Sequence, residues 1–293
     1  MIITFKESEP LARKVAEFIG DDVSIPIIRS FADGEIYVRL KDGVKNTDAI
    51  LLASLFPEPN HSLVRTLLAC DALKRGGARS ITVILTYFAY ARQDRAGVPG
   101  ESISAAIVGS SLRSAGADNI MVVEAHSENA VKELGAGAFD IDVTDTIGSA
   151  VKNLIGKVDF VVAPDHGVLG KCKKIARSIS ADICSFSKYR DPETGAITAT
   201  LDGNPDLKGK TVVFVDDMIS TGGSLAKAAE VLATRNVHTI SAICVHPLMV
   251  GNAAEKLQRA GISKIYGSDT IQCTYTGYSV AEDIARSLKN WKK

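Results

Sequence analysis

Net charge and long hydrophobic runs are both absent from this sequence. Its 34 Lys and Arg residues balance 34 Asp and Glu residues, so no general attraction to nucleic acid or anionic membranes is expected. No apolar run approaches the roughly 20 residues that a membrane-spanning helix needs, and the N-terminal segment MIITFKESEP does not have the pattern of a signal peptide. These absences predict a cytoplasmic protein that binds neither nucleic acid nor membrane.

Closely spaced cysteines are absent as well. The five cysteines are scattered through 293 residues without a CxxC pair. A disulfide-rich secreted protein or a zinc site would show denser, paired spacing. We therefore expect reduced, packed thiols in a chain long enough for one large or two ordinary domains.

Short hydrophobic runs alternate with amphipathic segments along most of the chain. The first half has strand-like runs at Ile2–Phe5, Ala49–Leu55 and Ile81–Tyr87. Helices are predicted from about Ser62 and from about Ser102. This order is typical of α/β proteins, in which helices cover both faces of a mainly parallel sheet.

The two halves of the sequence also resemble each other. When the first is shifted by 162 positions, Ile50–Leu52 aligns with Val212–Phe214. We therefore predict two similar α/β domains, residues 1–145 and residues 146–293, each with a mainly parallel sheet flanked by helices. The last helix is a candidate to pack back on the first domain.

The stretch TVVFVDDMISTGGS, at positions 211–224, combines a hydrophobic run with polar residues that suit ligand binding. Val212–Val215 is short and largely β-branched, which predicts a buried strand ending at Asp216 and Asp217. A polar loop follows, and Leu225–Ala233 predicts a helix. Ligands of open α/β sheets bind beyond the carboxyl ends of the strands, at turns of this kind.

The loop after this strand has the composition of a phosphate site. Glycines allow close approach of the backbone, and first-turn N–H groups with the hydroxyls of Thr221 and Ser224 can hold a phosphate. Asp216 and Asp217 would repel that phosphate, so they suit sugar hydroxyls or a cation such as Mg2+. The loop is not a Walker loop, because Gly223 stands where that motif has lysine. An ordinary strand-to-helix turn with an acidic strand end is the alternative.

Two segments of the first half place polar and aromatic side chains at predicted turns. In FADGE, positions 31–35, Phe31 could stack on a base while the two carboxylates accept hydrogen bonds. In YFAYARQD, positions 87–94, Arg92 could contact phosphate oxygens and Gln93 could contact a nucleotide. A solvated hairpin tip and an exposed charged loop are the alternatives.

Three further sites also adjoin hydrophobic runs. His126 lies at the predicted end of a strand, where it could bind a cation or a phosphate. Asp165 ends the run FVVAPD and could bind a metal or a sugar hydroxyl. Lys188 and Arg190 open a polar stretch between two predicted strands, where they could neutralise a triphosphate. Each has a structural alternative, and the helix after Asp165 is expected to present a solvated face made of Lys171, Lys173 and Lys174.

Taken together, these motifs resemble the ribose-phosphate diphosphokinase family, whose members make phosphoribosyl diphosphate (PRPP). The resemblance rests on FADGE at 31–35, on YARQD at 90–94 and on the acidic phosphate loop, and it covers essentially the whole chain. Phosphoribosyltransferases share the acidic loop but lack the N-terminal half.

The resemblance implies two phosphoribosyltransferase-type domains, with an active site between them that a neighbouring subunit completes. It implies transfer of the β,γ-diphosphate of Mg-ATP to O1 of ribose 5-phosphate, which yields PRPP and AMP for nucleotide biosynthesis. The expected cofactor is Mg2+, the substrates are ATP and ribose 5-phosphate, and the partner is a second copy of the chain. A dimer is the minimum unit, with a tetramer or a hexamer as larger alternatives.

The resemblance also implies a role for each matching residue. These are Lys188 and Arg190 as catalytic cations; Phe31, Asp33, Glu35, Arg92, Gln93 and Asp94 as ATP-binding residues; Asp216, Asp217, Ser220, Thr221, Gly222, Gly223 and Ser224 as ribose 5-phosphate-binding residues; and His126 and Asp165 as metal-site residues.

The chain departs from the family pattern at three places. It has Glu124-Ala125-His126 where the family usually has Asp-Leu-His, His166-Gly167-Val168 where many members have two glycines, and Ser220 where many have Asp. These departures point away from the phosphate-activated, ADP-inhibited branch and toward an archaeal-like one. Two alternatives remain for function: a phosphoribosyltransferase that consumes PRPP, and an inactive, synthetase-like regulatory subunit.

Overall fold

A computed structural model describes residues 1–190 and 197–291. These residues form two compact units. The first contains Met1–Asp142, Thr270–Gln272 and the chain from Ser279 onward, and the second contains Val143–Asp269 and Cys273–Tyr278. Within the described ranges, no helix is both long enough and apolar enough to cross a membrane.

Each unit is built on a sheet of its own. The strands of the first unit are β1 (Ile2–Thr4), β2 (Val23–Ser24), β3 (Ile27–Ser30), β4 (Ile36–Arg39), β5 (Asp48–Ser54), β6 (Ser80–Tyr87), β7 (Asn119–Val123) and β8 (Ala138–Ile141). Those of the second unit are β9 (Phe160–Ala163), β10 (Asp182–Arg190), β11 (Ile197–Leu201), β12 (Thr211–Ile219), β13 (Thr239–Pro247), β14 (Ile262–Ser268) and β15 (Thr276–Tyr278).

Helices follow most of the strands. They are α1 (Glu9–Ile19), α2 (Pro59–Arg75), α3 (Ser104–Ala115), α4 (Glu128–Glu133), α5 (Thr144–Ala150), α6 (Leu169–Ile179), α7 (Gly223–Ala233), α8 (Ala253–Arg259) and α9 (Ala281–Trp291), with a 3-10 turn at Lys6–Ser8 and a π-helical turn at Val151–Ile155. Helix α2 begins ahead of the expected Ser62, because Pro59 suits the first helical turn. Helix α3 begins slightly later than the expected Ser102.

The two sheets share one strand order. In the first unit the order is β2-β1-β5-β6-β7-β8, and every neighbouring pair is parallel. In the second unit β10-β9-β12-β13-β14-β15 repeats this order, again with parallel pairs, and β11 adds an antiparallel edge strand beside β10. The prediction of two similar α/β domains with mainly parallel sheets is therefore confirmed.

The core of the second unit fixes the strands that carry its polar motifs. Phe186 on β10 and Phe214 on β12 are both fully buried, and their ring centroids lie 6.2 Å apart at an interplanar angle of 38°. Such a tilted pair adds about 0.5–1.5 kcal/mol to the stability gained from burial alone. Lys188 and Asp216 each lie two positions after one of these aromatics. The core therefore anchors the backbone near the proposed catalytic cation and near the paired aspartates.

Candidate active site

The paired aspartates lie inside strand β12 and not at its end, which corrects the expectation from the sequence. The strand continues to Ile219 because β13 runs beside it, pairing Asp216 with Cys244 and Met218 with His246. Asp217 is buried and Asp216 is half-buried. The parallel ladder therefore fixes the backbone on both sides of Asp217, ahead of the loop.

Burial and mutual repulsion change the acidity of this pair. Asp216 Oδ1 accepts a hydrogen bond from Asp217 N (2.9 Å), and Asp217 Oδ1 accepts one from Met218 N (2.8 Å). Burial, followed by the neighbouring charge of Asp217, raises the pKa of Asp216 well above its usual range. The site therefore favours hydrogen-bond donors or cations next to these carboxylates.

Lys171 faces this carboxylate pair, although the sequence led us to expect it on a solvated helix face. Lys173 and Lys174 are exposed as expected, whereas Lys171 is half-buried on α6. Burial lowers the pKa of Lys171 to about 8, and the charge of Asp217 opposes that shift. Sequence reasoning missed this residue because only the packing of α6 on the sheet reveals what lies opposite it.

The loop after β12 has the geometry of an anion site. Gly222 precedes α7 with a φ of +68°, and the following N–H groups belong to the first turn of the helix, where such groups have no helical partner. Lys256 Nζ donates a hydrogen bond to the carbonyl oxygen of Thr221 (2.9 Å). Ser220 and Ser224 are half-buried, and Thr221 is exposed. The exposed Thr221 and the half-buried Gly223 and Ser224 therefore lie at the N-terminus of α7, next to the buried Gly222.

The expected catalytic cations lie on strand β10. Lys188 pairs with Ala199 and Arg190 with Ile197 of the antiparallel strand β11, so the two strands predicted around this polar stretch are present. Residues 191–196 and the side chains of Lys188 and Arg190 lie outside the described part of the structure.

Asp165 follows strand β9 in a short turn. The strand ends at Ala163, earlier than the run FVVAPD predicted, because Pro164 cannot donate a hydrogen bond to the ladder. Asp165 is half-buried, and its Oδ1 accepts a hydrogen bond from Gly167 N (2.9 Å). This bond orients the carboxylate.

Strands β3 and β4 pair with each other as an antiparallel hairpin, and its tip has the turn expected from FADGE. Phe31 N donates to Glu35 O (2.8 Å), Gly34 N donates to Phe31 O (3.0 Å), and Glu35 N donates to Asp33 Oδ1 (3.1 Å). Gly34 has a φ of +94°, which favours glycine. Phe31 is 57% exposed. The turn therefore presents an aromatic ring and two carboxylates to solvent.

The structure brings the loop after β6 and the His126 segment together within the first unit. Arg92 is exposed, Gln93 is half-buried and Asp94 is buried. Asp94 Oδ2 accepts a hydrogen bond from Ser127 Oγ (2.5 Å), and Ser127 caps helix α4 by accepting from Ala130 N (3.0 Å). Asp94 therefore holds the loop against the residue that follows His126.

A half-buried acid, Asp140, supports the backbone on the other side of the exposed His126. Asp140 Oδ1 accepts a hydrogen bond from Ala125 N (2.8 Å), while burial raises the pKa of Asp140 to about 6. No sequence pattern indicated this carboxylate, which comes from the next strand, β8.

The donor chemistry of two expected metal residues differs. Mg2+ prefers oxygen ligands and is often held by one or two carboxylates together with substrate phosphates. Asp165 supplies such an oxygen, whereas His126 supplies a nitrogen. Among residues 1–190 and 197–291, no cluster of three or more His, Cys, Asp or Glu side chains has the geometry of a metal site. The Asp165 carboxylate therefore suits a magnesium ion that substrate phosphates also bind.

Comparisons with known proteins agree along the whole chain. Residues 1–116 match the N-terminal domain of ribose phosphate pyrophosphokinase, and residues 130–288 match the phosphoribosyl transferase domain. Ribose-phosphate pyrophosphokinase 1 of Streptococcus mutans is 31% identical over 277 residues, which cover 92% of this chain and 84% of that protein. The same enzyme of Streptococcus pneumoniae is 30% identical with the same coverage.

A solved structure agrees with these relatives. The crystal structure of phosphoribosylpyrophosphate synthetase from Mycobacterium smegmatis superposes with a TM-score of 0.86 at 29% identity, and covers 100% of this chain and 98% of that one. The chain therefore belongs to the ribose-phosphate pyrophosphokinase family.

Proposed function

We propose that this protein is a ribose-phosphate diphosphokinase, which transfers the β,γ-diphosphate of ATP to O1 of ribose 5-phosphate and releases PRPP and AMP. The observation that carries the proposal is the presence of both halves of the family in one chain, with the acidic phosphate loop intact in the second. A phosphoribosyltransferase would share that loop but not the first half.

The second unit is proposed to bind ribose 5-phosphate. Asp216 and Asp217 would accept hydrogen bonds from the ribose hydroxyls, because carboxylate oxygens are acceptors and strand β12 fixes the backbone that carries them. The loop from Ser220 to Ser224, including Thr221, Gly222 and Gly223, would hold the 5-phosphate on the first-turn N–H groups of α7.

The first unit is proposed to bind ATP. Phe31 is exposed and would stack on the adenine, while Asp33 and Glu35 would accept hydrogen bonds from it and from its ribose. Arg92 and Gln93 would contact the nucleotide.

A positioning role suits Asp94 better than direct contact with ATP, because its carboxylate is buried and already bonded to Ser127.

The division of the chain near residue 145 into a nucleotide half and a sugar half is part of the same proposal.

His126 and Asp165 are proposed as the protein residues that adjoin Mg2+. The ion, when bound with ATP, supplies positive charge that stabilises the phosphate oxygens during transfer. The protein's own part is orientation: Gly167 N fixes the Asp165 carboxylate, and Asp140 holds the backbone beside His126.

In the proposed reaction, ribose O1 attacks the β-phosphorus of ATP and loses its proton. The bond between O1 and the β-phosphorus forms as the bond from the β-phosphorus to the α,β-bridging oxygen breaks. AMP leaves with that oxygen. Lys188 and Arg190 would neutralise the charge that develops on the phosphoryl oxygens. The remaining contribution is in-line positioning and exclusion of water.

A homo-oligomer, at least a dimer, is also proposed. Phe31 lies on an exposed hairpin tip, and the family resemblance implies that this tip completes the site of a neighbouring subunit. A larger assembly, a tetramer or a hexamer, would repeat the same contact.

The test is an assay with ATP, ribose 5-phosphate and Mg2+ in which AMP and PRPP are both measured. Equal formation of the two products supports the diphosphokinase. A phosphoribosyltransferase would instead consume PRPP with a base and form no AMP from these substrates. An inactive regulatory subunit would form no product in either assay.

Lys188→Ala should lower kcat by about 100-fold or more, as for other preorganised electrostatic contacts, while the KM for ATP changes little. The exposed Lys208 of the same unit provides the matched control, Lys208→Ala, which should match the parent. An unchanged kcat for Lys188→Ala would remove Lys188 from the mechanism.

A further inference from the structure

A single carboxylate ties together three segments of the second unit. Asp202, just after β11, accepts hydrogen bonds from Ser185 Oγ (2.6 Å) and Ser187 Oγ (2.5 Å) of β10. Its Oδ2 also lies 3.0 Å from Nε2 of His166, in the turn after β9. We call Ser185, Ser187, His166 and Asp202 the Asp202 cluster.

The cluster is not arranged as a nucleophilic triad. In a Ser-His-Asp triad the carboxylate and the hydroxyl bind opposite nitrogens of the imidazole. Here Asp202 and Ser187 both approach Nε2 of His166, at 3.0 Å and 3.4 Å. The imidazole therefore cannot relay a proton from Ser187 to Asp202, and the cluster is suited to holding segments in place.

The segments that it holds are those that carry proposed active-site residues. Ser187 immediately precedes Lys188, and His166 immediately follows Asp165. Antiparallel pairing of β10 with β11 links Ser187 to Thr200, close to Asp202 in sequence. The cluster therefore connects the strand of the proposed catalytic cation to the turn of the proposed metal residue.

We infer that Asp202 is a positioning residue, which fixes the β10–β11 hairpin relative to the Asp165 turn so that the Lys188 backbone is held in place for phosphoryl transfer. This inference rests on the proposed function, since it gives Lys188 its role.

Electrostatics are consistent with that arrangement. The hydrogen bonds from Ser185 and Ser187 lower the pKa of Asp202 to about 2, because these charge-assisted bonds stabilise its ionised form.

The test compares Asp202→Ala and Ser187→Ala with two further variants. Ser187→Thr keeps the hydroxyl, and Asp206→Asn is the matched control, because Asp206 is exposed and its Oδ1 accepts a local hydrogen bond from Lys208 N. We expect about tenfold lower kcat for Asp202→Ala and a smaller loss for Ser187→Ala, with KM for ribose 5-phosphate within about twofold of the parent. Ser187→Thr and Asp206→Asn should retain the parent kcat.

A second readout does not depend on activity. Backbone amide exchange should become faster in residues 183–190 and 197–201 of Asp202→Ala, while β12 and β13 keep their protection. Faster exchange throughout the unit would indicate general destabilisation and would overturn a specific positioning role.

The outcomes separate the two proposals. If the parent forms AMP but Asp202→Ala keeps the parent kcat, the positioning role is wrong and the proposed function stands. If the parent forms no AMP, the proposed function is wrong, and the exchange data alone decide whether Asp202 holds the hairpin. Unchanged exchange in the hairpin would overturn the inference in either case.

Discussion

At the scale of single residues, Lys171 illustrates how burial changes chemistry. Lys171 is half-buried and interacts with the charges of Asp216 and Asp217, so burial disfavours the charged form while the carboxylates favour it. The resulting pKa of about 8 leaves Lys171 mostly protonated at pH 7. A positive charge beside the aspartates reduces their mutual repulsion. This would favour the binding of ribose 5-phosphate next to them.

We expect kcat/KM for ribose 5-phosphate to fall as the pH rises through about 8, because Lys171 then loses its charge. Arginine stays protonated over this range, so Lys171→Arg should keep its activity to higher pH. The measurement is the pH profile of kcat/KM between pH 7 and pH 10, expressed relative to the parent.

Lys173→Arg is the matched control, since Lys173 is exposed on the same helix and should leave the profile unchanged. If kcat/KM of Lys171→Arg falls at the same alkaline pH as that of the parent, a group other than Lys171 causes the fall.

The contrast between Lys171 and Thr221 shows which residue roles the sequence can predict. Thr221 belongs to a local motif, so its position in a strand-to-helix loop follows from its neighbours in the chain. The environment of Lys171 depends on β12, more than 40 positions away, and no local pattern reports it. Asp202 escaped prediction for the same reason, because its partners come from β10 and from the turn after β9.

At the scale of elements, the loop between β12 and α7 depends on Gly222. Its φ of +68° is costly for other residues, and an added Cβ would lie 3.1 Å from Cγ of Leu257. The glycine therefore serves both the backbone conformation and close packing against α8.

Gly222→Ala should destabilise the protein by about 1–2 kcal/mol and displace the loop, because both the left-handed backbone and the contact with Leu257 oppose a side chain. We expect a clear rise in KM for ribose 5-phosphate and little change in KM for ATP. Denaturant unfolding and substrate titrations measure the two effects.

Gly209→Ala is the control, because Gly209 has a φ of +70° but nothing within 4 Å of an added Cβ. Equal changes in both KM values for Gly222→Ala would contradict a local role in phosphate binding.

The ends of β12 and β9 show the limits of prediction for elements. Asp is unfavourable in strands, so the sequence placed the end of β12 at Asp216. The ladder with β13 overrides that preference and carries the strand to Ile219. At β9 the opposite occurs, since Pro164 stops the strand before Asp165. Strand existence followed from hydrophobic runs, whereas the end of β12 depended on its neighbour β13 and the end of β9 on Pro164.

At the scale of the whole molecule, one strand order supports two different chemistries. Strand β5 ends at Ser54 in the first unit, whereas β12 carries Asp216 and Asp217 in the second. Hydrophobic periodicity predicted the shared architecture, because the same buried strands recur in both halves. The assignment of chemistry to each half came from short motifs, since the fold alone does not determine function.

The proposed contact of the hairpin tip with a neighbouring subunit implies that protomers share active sites. We expect Lys188→Ala and the double variant Phe31→Ala/Asp33→Ala each to be strongly impaired as homo-oligomers. If the hairpin tip of one protomer completes the site of another, a mixed dimer has one site with both elements intact. An equal mixture after subunit exchange should regain about a quarter of the parent activity, since half of the dimers are mixed and each has one intact site.

Mixing Lys188→Ala with a variant that combines all three substitutions is the matched control, because no arrangement of those chains yields an intact site. Native mass spectrometry establishes that subunits have exchanged. Exchange without regained activity would place Phe31 and Lys188 at sites formed within one protomer. The shared-site proposal would then be wrong, while the reaction assigned to the chain would still stand, because the product assay tests that reaction independently.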